Sequence, residues 1–370
     1  MSIYKKLFAG LRSMLLRTRS ALVTTLISAL GISLPLHAAE PLKTYNVDIH
    51  QTSVSGLSSG GYMAVQMDVA YSSIMKGAGI IAGGPYFCAQ GNLSTALGTC
   101  ASASSAIDLN KLITATQTNA GAGTIDPVTH LANQKIWLFS SAADTTVRQP
   151  VMNALENYYK NFTASANIFH HKDTQAEHAM PTLDFGNACA VKNDPFINDC
   201  NLDAAGELLK WIYGGLNPKT SSALSGQLLE FDQGAFINQA NAHSMAATGW
   251  VYVPATCASG TACKLHVAFH GCRQYPAYTY RKNGNTITFG TTFVKNAGYN
   301  AWADSNRIIV LYPQTQRSLK AFWDVFDLFG SNPKGCWDWW GYDDPNYAKK
   351  TGRQMAAVKK MIDRITGTAP

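Results

Sequence analysis

Short apolar runs recur along the chain: Tyr45 to Val54, Ala78 to Ala82, Ile136 to Ser140, Ala166 to Phe169, Gly249 to Val253, Lys264 to Phe269 and Arg307 to Tyr312. Their length suits buried strands. Between several of them stand longer helix-like runs, at Tyr62 to Tyr71, Pro150 to Asn161, Ala204 to Tyr213, Phe289 to Ser305 and Asp344 to Ile365. Short buried strands alternating with amphipathic helices predict an α/β architecture, a mostly parallel central sheet with helices on both faces. No long Pro/Thr/Ser linker, internal repeat or charge block interrupts the pattern, so residues 40–370 are expected to form a single domain. In such sheets reactive groups collect at the carboxyl ends of strands.

Charge changes the picture only at the N-terminus. Lys5, Lys6, Arg12, Arg17 and Arg19 stand there without an acidic residue, followed by an apolar run from Ala21 to Leu36 and then Ala38-Ala39. This order predicts a secretory signal over residues 1–39. Thr24, Thr25, Ser28, Gly31, Ser33 and Pro35 interrupt the run, which is short for a membrane span, so no anchor is expected after cleavage. Removing those five cations takes the formal charge from +7 to +2, and the case for a nucleic-acid partner goes with them. The expected location is secreted or periplasmic.

Eight cysteines remain. An even count in an exported chain reads as disulfides. Three pairs close short loops rich in Gly, Asn, Asp or Ser: Cys88 with Cys100, Cys189 with Cys200, and Cys257 with Cys263, which leaves Cys272 with Cys336. There is no C-x-x-C pair, and the histidines do not cluster at metal-ligand spacing, so no metal is expected.

Candidate chemistry begins at Gly56-Leu57-Ser58-Ser59-Gly60-Gly61, a G-x-S-x-G motif between an extended and a helix-like run. A nucleophile elbow holds its serine in strained backbone, and glycines on either side let strand and helix approach. Ser58 is therefore the candidate nucleophile, against the alternative of a glycine-serine turn without chemistry. Asp144 follows the apolar run ending at Ser140 and is placed to orient a histidine, or else to cap the next helix. His178, in the loop after Ala166 to Phe169, gives the Ser, Asp, His order that α/β-hydrolases use. His170, His171 and His270 remain open as alternatives. For the oxyanion hole, Ser59 supplies one backbone N–H by position, and Cys272, in the His270-Gly271 loop after Leu265 to Phe269, is the candidate for the second. That H-G loop ordinarily precedes the serine elbow, whereas here it follows. A circular permutation of the fold accounts for the order, and the proximity of termini in compact domains makes it tolerable.

Taken together, Gly56-Leu57-Ser58-Ser59-Gly60-Gly61-Tyr62-Met63, Ala176-Glu177-His178-Ala179-Met180-Pro181-Thr182, Phe269-His270-Gly271-Cys272-Arg273-Gln274 and Gly335-Cys336-Trp337-Asp338-Trp339-Trp340 resemble the polyhydroxybutyrate depolymerases with a circularly permuted α/β-hydrolase catalytic domain. The likeness covers nearly all of the chain after the signal. It implies hydrolysis of poly(3-hydroxybutyrate) or its oligomers by a serine triad of Ser58, Asp144 and His178, with no cofactor. It also implies that Ser59 and Cys272 donate to the oxyanion and that Trp337 lines the substrate crevice. Trp323, Trp339, Trp340 and Tyr342 are further candidates for an apolar wall, with core packing as the alternative for each. Many secreted members carry a separate polymer-binding domain. None is expected here, which favours amorphous polymer, oligomers or granules with their native coat as substrates. The nearest rival is another carboxylesterase of the feruloyl or acetylxylan type, which shares the H-G-C and C-W-x-W features.

Overall fold

The computed structural model describes residues 39–319 and 331–368. The expected signal segment, apart from Ala39, and Trp323 lie outside the described residues. In chain order the strands are β1 (Val47–Leu57), β2 (Met75–Ile81), β3 (Lys135–Phe139), β4 (Ile168–His171), β5 (Met180–Thr182), β6 (Asn187–Ala188), β7 (Ile197–Asp199), β8 (Gln227–Asp232), β9 (Thr248–Val253), β10 (Cys263–Phe269), β11 (Thr279–Lys282), β12 (Asn285–Thr288) and β13 (Ile308–Tyr312). The helices are α1 (Ser59–Ala70), α2 (Leu93–Leu97), α3 (Leu109–Gly121), α4 (Gln149–Tyr159), α5 (Ala204–Tyr213), α6 (Ala255–Ala258), α7 (Thr292–Asn296), α8 (Tyr299–Asn306) and α9 (Arg353–Thr366).

Eight strands form one sheet in the order β4-β3-β2-β1-β10-β13-β9-β8. Pairing is parallel from β4 to β13, while β9 and β8 run antiparallel at one edge. The central strands alternate cleanly between two cores. On β10, Leu265, Val267 and Phe269 face one side and Ala268 the other; on β13, Ile309 and Leu311 oppose Ile308, Val310 and Tyr312. Buried residues of α1 and α9 belong to the first core, and those of α5 and α8 to the second. Both faces are thus covered, as a parallel sheet requires. Each fully buried Leu or Ile contributes roughly 1.5–3 kcal/mol to this arrangement.

The middle of the sheet is a seam between distant parts of the chain. β1, from the beginning of the described chain, pairs directly with β10, aligning Ser55 with Ala268 and Gly56 with Phe269. The end of α9 lies against the entry to β1, where Tyr45 N–H donates to Ile365 O at 2.8 Å and Thr44 Oγ1 to Arg364 O at 2.8 Å. A permuted order needs this adjacency, because the chain could have run from α9 straight into β1.

Some elements differ from expectation. The helix expected over Phe289 to Ser305 is two helices, α7 and α8, separated at Gly298, whose φ of +93° no helix accommodates. The last helix starts at Arg353 rather than Asp344, since residues 338–344 wrap around a buried carboxylate described below. Strand β8 and helix α3 had no matching apolar run. β8 is a half-exposed edge strand, and α3 buries only Leu112 and Thr116.

Candidate active site

Ser58 stands between β1 and α1 with φ 56° and ψ −123°, outside the basins an L-residue normally occupies. The surroundings over-determine this conformation: Ser58 N–H donates to Ile81 O at 2.9 Å, and its carbonyl accepts from Tyr62 N–H at 3.0 Å. Two glycines make the turn possible. A Cβ on Gly56 would sit 2.1 Å from Gly60 O, and one on Gly60 would sit 2.3 Å from Phe269 O and 2.4 Å from His270 O. The second contact is between α1 and the loop after β10, so a missing side chain lets the elbow and the H-G loop touch.

Asp144 leaves the end of β3, and His178 lies in the loop that follows β4. Asp144 Oδ1 accepts from Thr146 N–H at 2.7 Å and Val147 N–H at 2.9 Å, which leaves Oδ2 for His178 Nδ1 at 2.8 Å. Both side chains are buried. Two bridges join their loops. Ser141 Oγ accepts from Ala143 and Ala176 N–H, both at 3.0 Å. Glu177 Oε2 accepts from His178 N–H at 2.8 Å and Thr145 N–H at 3.3 Å, while Oε1 accepts from Thr145 Oγ1 at 2.6 Å. Burial works to raise the Glu177 carboxyl, but these bonds and nearby Lys192 outweigh it and hold the group below its ordinary range.

Of the four candidate histidines, only His178 shares a cavity with Ser58. The Ser58 hydroxyl has no hydrogen-bond partner among the described residues; with a 2.8 Å Asp144–His178 bond behind it, the constellation needs only a serine-to-imidazole contact to close. His170 bonds Glu156 and Ser140, each at 2.8 Å, and burial pushes its pKa down to about 4. His171 is held by Glu207 and Thr174. His270 sits beneath the H-G loop, its Nδ1 at 2.7 Å from Gly271 O.

The cavity, about 480 Å³, runs past Ser58, His178, Gly271 and Cys272. Gly271 crowds the nucleophile: a Cβ there would lie 3.5 Å from Ser58 Cβ. Ser59 opens α1, where amides have no intrahelical acceptor, and Cys272 N–H has no acceptor among the described residues. Two donors are therefore available beside the serine. Leu93, Leu97, Tyr62, Trp339 and Trp340 give the cavity an apolar wall, and the Tyr62 and Trp339 rings stack at 3.9 Å.

Trp337 is not on that wall. It is fully buried one layer beneath, with Nε1–H donating to His270 O at 3.0 Å and its ring edge-on to Phe269. Trp337, expected at the crevice, is not among the residues that line this cavity, whereas Trp339 and Trp340 are. Between Trp337 and the two cavity tryptophans, Asp338 is buried and turns the chain by accepting from the N–H groups of Gly341, Tyr342, Asp343 and Asp344. A count along the sequence does not show that reversal.

The disulfides are Cys88–Cys100, Cys189–Cys200, Cys257–Cys263 and Cys272–Cys336. The last ties the H-G loop to the tryptophan loop, and Arg273 N–H reinforces it by donating to Lys334 O at 2.7 Å. Sequence reasoning assigned no role to Glu177 or Gln274. Gln274 Oε1 accepts from Gly271 N–H at 2.6 Å, and its amide donates to Pro195 O and Phe196 O. Both residues stand inside the quoted motifs, directly beside His178 and two positions from Cys272, and that proximity was the available signal.

No family model matches the chain. A poly(3-hydroxybutyrate) depolymerase of Delftia acidovorans is 47% identical over 343 residues, which are 90% of this chain and 64% of that protein, so the chain spans just under two thirds of this relative's length. A polyhydroxybutyrate depolymerase of Talaromyces funiculosus is 41% identical over 336 residues, 89% of this chain and 93% of the relative. Among solved structures, the crystal structure of PHB depolymerase from Penicillium funiculosum superposes with a TM-score of 0.78 at 39% identity, covering 89% of this chain and all of that one. A serine-to-alanine variant of PHB depolymerase complexed with an R3HB trimer gives a TM-score of 0.77 at 38% identity, with coverage of 89% and 100%.

Proposed function

Since the chain belongs to the polyhydroxybutyrate depolymerase family, we propose that it hydrolyses the ester bonds of poly(3-hydroxybutyrate) or its oligomers through an acyl-enzyme on Ser58. The observation that carries the reading is the convergence of three groups on one largely apolar cavity: the strained Ser58, His178 held by Asp144, and the unengaged Cys272 N–H. In the first step Ser58 Oγ attacks the ester carbonyl carbon as its proton passes to His178 Nε2, and the carbonyl π electrons move to oxygen. Asp144 stabilises the imidazolium. Collapse of the tetrahedral intermediate breaks the bond to the alcohol oxygen, which takes the proton from His178. Water then attacks the acyl carbon with His178 again as base, and Ser58 recovers its proton as the acid leaves. Ser59 and Cys272 N–H stabilise the oxyanion in both steps, each contributing on the order of 3 kcal/mol.

Leu93, Leu97, Trp339 and Trp340 suit a methyl-bearing polyester rather than a sugar-linked ester. Leu97, 59% exposed at the cavity rim, extends this apolar surface outward, which suits an insoluble substrate. Four disulfides accord with a secreted or periplasmic location, and no described helix is long and apolar enough to cross a membrane. The reading includes export through residues 1–39, with residues 40–370 as the catalytic domain.

Turbidity clearing of amorphous poly(3-hydroxybutyrate), with release of 3-hydroxybutyrate, tests the proposal. Wild type should clear the suspension, and Ser58→Ala should lose activity by at least ~10⁴-fold. Efficient release of ferulate from a model ester without clearing would overturn the substrate assignment and leave the nucleophile intact.

A further inference from the structure

We infer that His270 is a positioning residue that aims the oxyanion-binding N–H of Cys272 into the cavity. The inference rests on the assignment of that N–H as an oxyanion donor made above.

The hydrogen bonds around the ring identify its tautomer. Thr315 Oγ1 lies 2.6 Å from Gly335 O, an acceptor only, so its single proton goes there. The donor left to approach His270 Nε2 is Thr315 N–H, at 3.2 Å. Nε2 must then be the bare nitrogen, and the proton sits on Nδ1, from which it donates to Gly271 O at 2.7 Å. Burial supports the neutral ring by pushing its pKa down to about 4. With both nitrogens engaged and the side chain fully buried, His270 is not available as a general base.

The held carbonyl belongs to the Gly271–Cys272 peptide. In a trans peptide the C=O and the following N–H point in opposite directions across a rigid plane. Fixing Gly271 O on the imidazole therefore fixes Cys272 N–H on the far side, where no acceptor among the described residues meets it. Gln274 completes the clamp by accepting from Gly271 N–H at 2.6 Å, and Trp337 anchors His270 O at 3.0 Å. Gly271 itself lies against Leu57 O and Ser58 Cβ, so a rotation of this one peptide would withdraw a donor from the nucleophile.

The test uses p-nitrophenyl butyrate as substrate, a trifluoromethyl ketone that adds to the serine as a tetrahedral mimic, and butyramide as a ground-state ligand. His270→Leu should lower kcat by about 10²-fold while KM stays within about three-fold, because the lost interaction forms only in the transition state. Affinity for the ketone should fall in the same proportion and that for butyramide should hold. His270→Asn, which keeps a planar N–H donor near Gly271 O, should recover part of kcat. A His270→Leu enzyme with wild-type kcat, or equal losses for both ligands, overturns the inference. Should the variants fail to fold, ¹⁵N-histidine NMR of the wild type decides: an Nδ1–H tautomer at neutral pH is expected, and an Nε2–H tautomer sinks the idea. A Ser58→Ala variant as active as wild type would instead defeat the underlying esterase reading and leave the tautomer measurement to judge His270 alone.

Discussion

Ser58 accepts an unfavourable backbone conformation because β1, α1 and Ile81 hold it from three sides, and the serine hydroxyl is left without a partner among the described residues. Its neighbours show how single side chains set the reaction geometry. Glu177 is the clearest case: one carboxylate binds the amide of His178 and both the amide and hydroxyl of Thr145, which follows Asp144 directly. It spans the two loops that carry base and orienter. Glu177→Gln should lower kcat/KM for a short ester by roughly ten-fold, short of the ~10² that an ångström of misplacement costs. Wild-type kcat/KM in Glu177→Gln would assign the carboxylate no part in holding the two loops together. Ser58, Asp144 and His178 could be picked out from motif and order because each follows a strand end. The role of Glu177 depends on Thr145, thirty-two residues earlier, meeting it in space.

At the scale of elements, the strand-turn-helix of β1 and α1 is a unit whose fit to β10 depends on a missing side chain. Gly60→Ala would drive a methyl group into two backbone carbonyls at 2.3 and 2.4 Å, and backbone cannot step aside as a flexible side chain can. The expected result is a destabilisation of several kcal/mol and loss of ester hydrolysis. A melt within ~1 °C of wild type would show that α1 and the H-G loop can separate without cost. Strand positions were legible where both faces are buried, since β2, β3, β9, β10 and β13 are near-continuous apolar runs. Edge strand β8 and helix α3 were not, because solvent on one side weakens the pattern. The late start of α9 follows from Asp338, which draws four amides into a turn; residue type alone does not distinguish a surface aspartate from that buried hub.

For the whole molecule, the first core carries an acidic group with little solvation. Among the described residues Asp68, fully buried on α1, receives one hydrogen bond, from Tyr159 at 2.8 Å, and its Oδ1 has no partner. Burial raises its pKa to about 7. The folded state therefore holds this proton more tightly than the unfolded chain, and the group's contribution to stability, full below pH ~4, is lost as pH rises through about 7. Asp68→Asn should raise Tm by several degrees at pH 8 relative to wild type and leave the difference small at pH 5. The same increment at both pH values would contradict a titrating carboxylate. By itself the sequence determined the layer architecture, the three cysteine pairs offered by loop spacing with the fourth left by elimination, and the chain order of serine, aspartate and histidine, because periodicity and local spacing are properties of neighbouring residues. The tertiary structure decided which histidine shares the cavity with Ser58, which tryptophans face it, and which peptide N–H remains bare. Those outcomes arise where β1 meets β10 and where the loops after β3, β4 and β10 converge, contacts between segments far apart in the chain whose geometry no local pattern carries.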